Sequence, residues 1–588
     1  MDDVEKQAPR TASLAQATMQ YEPFPNGDST QDVPTGFTGE PDSDHKAVEL
    51  MDSGHEKVLE RQRTLESIKA GGRPADDTLK RTQTGGTAKS HKSILSRIST
   101  SLTTRNRKAQ IEEIIPESDL DNGIVGWEGQ DDPLMPLNFA PSRKWVLLAL
   151  ISSITFISPL ASSMFAPGVQ FMDEDFGNTS LILSSFTVSV FVLGFAVGPV
   201  FLSPLSEIFG RRPVLLAGNV IFAAWQLGCA LAPNLTALII MRFLAGVGGS
   251  GCLTIGGGVI ADLFKADQRG LATSFYSFGP LMGPVVGPVI GGFISERASW
   301  RWVFWVLFIA STVFAIGIEL LNRETNHRVL IRHKTRRLRK ELNRPELRSC
   351  YDTTGSTPHT KGQILKTGVS RPLKMLFRSP IVFLLSLYMS VVYGLLYLLF
   401  TTITSVFQDT YHWNADICGL AYIGIGLGFM FGVAAVAKLS DQTVVKMTRA
   451  NGGVFEPEMR LPACVVFACF IPVSFFWYGW SADKHTHWIV PILGLIPFGF
   501  GMMGIFIPIQ TYIIDAFPAF AASGVAALTV SRSLFGGLLP LAGPKMYQSL
   551  GLGWGNSVLG FVALALIPAP ALIYKFGGAI RKNHPVRL

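Results

Sequence analysis

Two arginines stand where a fixed positive charge is costly. Arg242 and Arg532 each lie within a stretch that is otherwise apolar for about a membrane's thickness. Placing a charge at the centre of a bilayer costs about 2.5 kcal/mol or more, so such residues are candidates for ligand contact; pairing with backbone carbonyls or snorkelling is the structural alternative. No carboxylate lies comparably deep: Asp262, Glu319, Asp416 and Asp515 all fall at the ends of apolar stretches. Arginine does not give up its proton, so any proton relay would have to use end groups, with Asp262 and Asp515 the leading candidates and Glu207 and Asp416 behind them. The absence of deep acids argues against a polycationic ligand; a neutral amphiphile or an organic anion fits better. Uncharged polar side chains in the same stretches are further candidate ligand contacts: Asn219, Gln226, Gln510, Tyr388, Tyr393, Tyr397 and Tyr512. Tyr393 and Tyr397 are spaced i, i+4 and so share a helix face. Tyrosine combines an apolar ring with a hydrogen-bonding tip, equally at home in a ligand cavity, in packing or at a membrane interface.

Other chemistry is missing. No G-x-x-x-x-G-K-[ST] phosphate loop, H-E-x-x-H helix or G-x-S-x-G elbow with plausible partners is present, so the chain reads as neither an ATP-driven pump nor an enzyme, with no metal and no cofactor. Cys229, Cys252, Cys350, Cys418, Cys464 and Cys469 show neither disulfide nor zinc spacing. They are expected to act as small buried hydrophobes.

The elements that position these residues follow from composition. Of 588 residues only 16% are charged and 48% are hydrophobic, with a mean hydropathy of +0.31. That excludes a soluble multidomain protein. Residues 1–144 hold 18 of the 51 Lys and Arg and 24 of the 43 Asp and Glu, a net charge of −6 against +14 for the remainder. This segment has no apolar run of signal-peptide length and is expected to be a disordered tail. Its Ser90–Lys108 patch is Ser/Thr-rich and basic.

From Trp145 onward, apolar stretches long enough to cross a bilayer as helices recur at 145–166, 181–202, 214–232, 236–260, 271–294 and 302–321. After a polar interval they resume at 380–402, 416–437, 461–480, 487–510, 520–543 and 554–575. With both termini cytosolic, the inward segments after the tail carry 27 Lys and Arg and the outward ones 4. The positive-inside rule therefore places both ends in the cytosol, and the basic charge is topological, not a nucleic-acid footprint. Asn178 and Asn234 head outward-facing glycosylation sequons.

The expected fold is an all-α integral membrane protein of twelve transmembrane helices in two pseudo-symmetric six-helix bundles. Its parts are a disordered tail (1–140), a first bundle (141–321), a cytosolic central loop (322–379), a second bundle (380–577) and a C-terminal tail (578–588). Short matches support the repeat: Pro204-Leu-Ser-Glu207 mirrors Lys438-Leu-Ser-Asp441, and Ile260-Ala-Asp262-Leu-Phe264 mirrors Ile514-Asp515-Ala-Phe517. Repeats of this kind place a substrate site between the halves, near the midplane.

The stretch Gly198–Pro213, GPVFLSPLSEIFGRRP, resembles the inner-loop motif of the major facilitator superfamily, in the form seen in fungal twelve-span drug:proton antiporters. Its matching positions are Glu207, Gly210, Arg211 and Arg212, an acid and basic pair suited to a breakable conformational latch; Ser203 and Ile208 depart from the pattern. Arg242 with Gly246, Gly248 and Gly249 resembles the family's buried-arginine motif, associated with proton transfer. Gly283, Gly287, Pro288, Gly291 and Gly292 resemble the helix motif that marks antiporters. Arg460-Leu-Pro462, Tyr393 to Tyr397, Arg532 to Gly537 and the basic, helix-like Arg332–Glu341 run after Glu324-Thr325 are similar to the branch that includes polyamine and multidrug exporters. The resemblance spans residues 132–580. It implies a monomeric plasma-membrane antiporter, with a small molecule, the proton and the lipid bilayer as partners, exporting drugs, toxins or secondary metabolites. An importer of organic solutes or acids and a transporter-like sensor are the alternatives.

Overall fold

The computed structural model describes residues 116–265, 268–352, 361–452, 454–517 and 520–583; the Ser90–Lys108 patch lies outside them. The first half contains α1 (Pro141–Ser163), α2 (Leu181–Phe209), α3 (Arg211–Ala230), α4 (Leu235–Leu263), α5 (Arg269–Arg297) and α6 (Trp300–Leu321). Two helices follow in the central segment, α7 (His327–Glu341) and α8 (Lys361–Arg378). The second half contains α9 (Pro380–Tyr411), α10 (Ala415–Ala450), α11 (Pro457–Asp483) and α12 (Ile489–Ala516), then α13 (Ala521–Leu538), α14 (Gly543–Leu566) and α15 (Pro568–Asn583).

Among the described residues eleven helical stretches are long and apolar enough to cross a membrane, and the last, Ala521–Arg581, runs for 61 residues. At 1.5 Å per residue that is about 90 Å, three bilayer cores, so it cannot be one crossing. The break is Gly551, whose φ of 73° and ψ of 175° are not helical, a conformation glycine adopts without a Cβ penalty. Two crossings joined there restore twelve. Several helices outrun their apolar stretches: α2 continues seven residues past 202 and α10 thirteen past 437, because polar residues can extend a helix beyond the bilayer.

The halves repeat one another. α1 packs on α5, α2 on α4, and α3 on both α4 and α6; likewise α9 packs on α13, α10 on α12, and α11 on both α12 and α14. Each half has its own apolar core. The contacts between halves repeat too, α2 against α13 and α5 against the start of α10. We call the face where α1 begins and α15 ends proximal, and the opposite face distal.

The expectation of a disordered tail to residue 140 fails from residue 116 onward. A two-residue strand β1 (Ile124–Val125) pairs in parallel with β2 (Arg348–Ser349). Val125, Trp127, Met135 and Leu137 bury against Ile331 of α7 and Leu347. The Trp127 indole N–H donates to the Tyr351 hydroxyl at 3.1 Å. These residues bury apolar area only in company with a segment two hundred residues away. Within the central segment the basic Arg332–Glu341 run is helical in α7, as its sequence suggests, and α8 adds a second helix; α15 carries helix to Asn583, past the expected tail boundary at 578.

Candidate functional site

α9 carries the centre of the site. Tyr393 and Tyr397, one helical turn apart, have ring centroids 5.1 Å apart. From α13, the Arg532 guanidinium carbon lies 5.0 Å from the Tyr393 centroid and 4.8 Å from that of Phe506 on α12. Arg532 and Gln510 line one small cavity of about 10 Å³ with Met389, Phe506 and Thr529, room for one water-sized group. Ser390 and Ser531 tie α9 to α13 at 2.7 Å.

Tyr397 links this cluster to the first half. Ser162 of α1 donates to the Pro159 carbonyl at 2.6 Å, so the Tyr397 hydroxyl donates to Ser162 Oγ at 3.0 Å. Behind Ser162 sits Arg242, only 1% exposed. It donates to the carbonyls of Ser162 at 3.5 Å and Val188 at 3.3 Å, and its guanidinium is caged by Phe165, Phe191 and Phe304 at 5.2–5.6 Å. Four sequence-predicted contacts, Tyr393, Tyr397, Gln510 and Arg532, thus meet, with Arg242 one residue removed. Asn219 and Gln226 do not join them. Asn219 donates to the Ser311 carbonyl on α6 at 3.1 Å, inside the first half, and Gln226 is buried with its Oε1 unpartnered.

The distal face is closed by small residues. On α5, Gly283, Gly287 and Gly291 form one stripe against α1: a Cβ at each would lie 2.8, 2.8 and 1.7 Å from the carbonyls of Phe156, Leu160 and Met164. The neighbouring stripe faces the other half. A Cβ on Gly292 would meet the Ala415 carbonyl at 2.4 Å, and Gly419 packs against Pro288. The motif therefore serves two contacts, one within its half and one between halves. α13 supplies the mate: Gly536 and Gly537 pack on Val192 and Leu193 of α2, and Ser189 donates to the Gly537 carbonyl at 2.8 Å. The second half's Gly-Gly pair therefore packs on the first half deeper than Gly292 does, level with Tyr393.

The proximal face holds the charges. Gly210, at φ 106°, starts α3 where a side chain would collide with Glu324. The Glu324 carboxylate accepts from the backbone N–H of Arg211 at 2.8 Å and Arg212 at 3.2 Å, and also from Thr325 and Asn326. A carboxylate there satisfies amides that a helix start leaves free and favours its dipole. Arg211 Nε pairs with Asp262 at 3.2 Å and Arg212 with Glu319 at 2.7 Å. Glu207, read from the motif as the latch acid, is exposed and makes no ion pair among the described residues; Asp262, Glu319 and Glu324 take that part. The second half repeats the pairing as Arg460 with Asp515. Beside it, Arg581 Nε meets the buried Glu458 at 3.1 Å.

Sequence reasoning missed Ser162, Phe506, Glu324 and Glu458. Only Glu324 left a signal, as an acid just past α6 that could reach the Gly210–Arg212 turn. The sequon asparagines serve the fold: Asn178 Nδ2 donates to Asp173 at 2.6 Å and Ser184 at 3.0 Å, and Asn234 Oδ1 caps α4 by accepting from Ala237 N. All six cysteines are free, four of them buried; Cys350 is half-buried and Cys469 exposed, which departs from the expectation.

Comparison with known proteins agrees with this architecture. The Major Facilitator Superfamily profile matches residues 151–540. MFS transporter cpaT of Aspergillus oryzae is 47% identical over 467 residues, covering 78% of this chain and 92% of that protein. MFS-type transporter penM of Penicillium rubens is 49% identical, covering 79% and 90%. Efflux pump radE of Floropilus chiversii is 44% identical, covering 80% and 86%. Among solved structures, the partially occluded inward-open xylose transporter XylE from E. coli shares the fold, with a TM-score of 0.54 at 17% identity over 74% of this chain and 98% of that one. Two six-helix halves, a Gly-lined seal between them, and matches of this extent make the chain a member of the Major Facilitator Superfamily, a secondary transporter of the multi-pass membrane type.

Proposed function

We propose that this protein exports small amphipathic molecules across the plasma membrane, driven by the proton gradient. The observation that carries this reading is the close contact of Gly292 with the Ala415 backbone at the distal face, with the Arg532–Tyr393–Tyr397 cluster on its proximal side, level with Gly536 and Gly537. Lys and Arg are 27 to 4 in favour of the proximal face once the tail is set aside, which supports a cytosolic proximal side. A ligand would then load from the cytosol, the order an exporter needs. The name of the Floropilus relative, an efflux pump, points the same way. Asp262 and Asp515 are the carboxylates best placed for coupling. Protonating either removes the charge that holds an arginine on the next helix, so proton occupancy would bias the rocking of the halves. Rocking itself needs contacts that separate and reform, and glycine edges do so without side chains to repack.

The test is accumulation of fluorescent amphiphilic dyes in a host stripped of its own exporters. Expression should lower steady-state dye several-fold, and a protonophore should abolish the difference. Unchanged dye at confirmed surface expression overturns export; a difference that survives the protonophore overturns proton drive.

A further inference from the structure

Arg532 is a cation without an acceptor. Among the described residues it makes no hydrogen bond and no ion pair, and its Nε is shut away from solvent with no partner. Its recorded neighbours are the faces of Tyr393 and Phe506. Guanidinium stays charged at any physiological pH and carries five donors. Its buried Nε–H has no partner, and leaving a charged group's donor unanswered there costs more than a neutral group would. Arg242 shows how this chain satisfies a buried guanidinium when the role is internal: two backbone carbonyls and a closed cage of three rings. Arg532 has the rings and lacks the oxygens.

A second unpartnered donor stands beside it. Gln510 makes no hydrogen bond among the described residues, and it lines the same cavity as Arg532. Thr529 in that wall donates its hydroxyl to the Val525 carbonyl at 2.9 Å, so it offers only acceptor capacity. The remaining wall is apolar: Met389, Phe506, Val525 and Leu528. Among the described residues no carboxylate pairs with the charge.

We infer that Arg532 and Gln510 receive the acidic head of an amphipathic weak organic acid, a carboxylate or acidic enolate bound as its anion. This rests on the reading of the cluster as the ligand site and narrows it to a substrate class. The cavity of about 10 Å³ has room for one oxygen of the anion, so the rest of the head group and the ligand's apolar body lie outside it. A guanidinium stacked on two rings is held in place, ready for two parallel N–H···O bonds to a planar anion. The same charge repels polyamines and other organic cations.

The experiment uses the full chain in lipid nanodiscs and equilibrium dialysis of matched probe pairs: 1-naphthylacetate against 1-naphthylacetamide, 4-biphenylacetate against its amide, and warfarin against its enol methyl ether. The wild type should bind at least one acid about tenfold more tightly than its neutral mate, the scale of one charge-assisted contact. Arg532→Gln should bring that ratio to within about twofold while still binding the neutral mate, which shows that it is folded; Arg532→Lys, which keeps the charge and loses the planar fork, should fall between the two. Equal binding of acid and mate in every pair, no binding of any acid, or a preference that survives Arg532→Gln overturns the inference. Should Arg532→Gln fail to fold, the wild-type ratios and Arg532→Lys still decide. Dye export with no acid preference would sink this site and leave the export reading standing; acid preference without export would do the reverse.

Discussion

Arg242 and Arg532 are the same residue type inside crossing helices of opposite halves, and their surroundings could hardly differ more. Arg242 is 1% exposed and bonded to two carbonyls within a cage of three rings. Arg532 is half-buried, lies against two rings and, among the described residues, has no oxygen partner. One guanidinium is consumed by the fold of its own half, at the junction of α1, α2 and α4. The other keeps its hydrogen-bonding capacity in reserve. Intramembrane charge by itself therefore does not mark a ligand site; the decisive observation is whether the charge has already been answered.

The largest effect follows from breaking that contrast. Arg242→Ala should destabilise the protein by about 3 kcal/mol, since it removes two hydrogen bonds and empties a closed cage. Export should fall at least tenfold in the molecules that still reach the membrane. Arg532→Ala should cost only about 1 kcal/mol or less, because the site is already half open, while changing which compounds are exported. Thermal unfolding of the two purified variants, beside efflux at matched surface levels, checks both halves of the statement. If the two melt alike, the internal and ligand-facing roles are not separable in this way.

The seal offers a comparison of intermediate size. A Cβ at Gly292 meets a backbone carbonyl of Ala415 at 2.4 Å, whereas one at Gly537 meets the Leu193 side chain at 2.3 Å. Backbone cannot give way as a leucine tip can. Gly292→Val should therefore wedge the distal face open at a cost of about 2 kcal/mol, with Gly537→Val milder. Maleimide labelling of a cysteine placed at Ser189, in a background lacking the native six, reads distal opening directly. Equal labelling rates in both variants would show that the two Gly-Gly edges are not distinguished by what they touch.

Much of this was legible beforehand, for reasons that differ by residue. Crossing helices announce themselves through twenty apolar residues, and the Gly and Pro spacing of α5 announces close packing. Legibility failed wherever a role depends on a distant partner. Trp127 looked like part of a polar tail because its burial needs Tyr351 and α7. Glu207 looked like the latch acid because it stands three residues before Gly210, yet on the helix that places it outward, while Glu324 arrives from the far end of α6. Asn219 and Gln226 are as polar as Gln510, and only the packing of α3 on α6 shows that they face inward within their own half. The pairing of Asp262 with Arg211 and Asp515 with Arg460 lay half in view: the repeat matched the acids, and geometry supplied the arginines.

Those two ion pairs carry the smallest and sharpest test of how alike the halves are. Arg211 has Ser206 Oγ at 2.8 Å besides Asp262, and Glu324 and Glu319 hold the adjoining backbone and Arg212. Losing the Asp262 charge leaves a network with other acids in it. Arg460 has Asp515 as its ion-pair partner and otherwise lies over the Phe455 ring at 5.9 Å. Losing that charge leaves a partly buried cation whose neighbouring acid, Glu458, is already held by Arg581. Both pairs are about a quarter exposed or less, so solvent screens part of either effect. Asp515→Asn should shift the balance between the open and closed distal face by about 1 kcal/mol, roughly fivefold in the labelling of a cysteine at position 189. Asp262→Asn should change it less than about twofold on the same scale. A larger response from Asp262→Asn would mean that the acids around Arg211 act as one unit that fails together, and the first half, with more contacts, would be the more fragile latch.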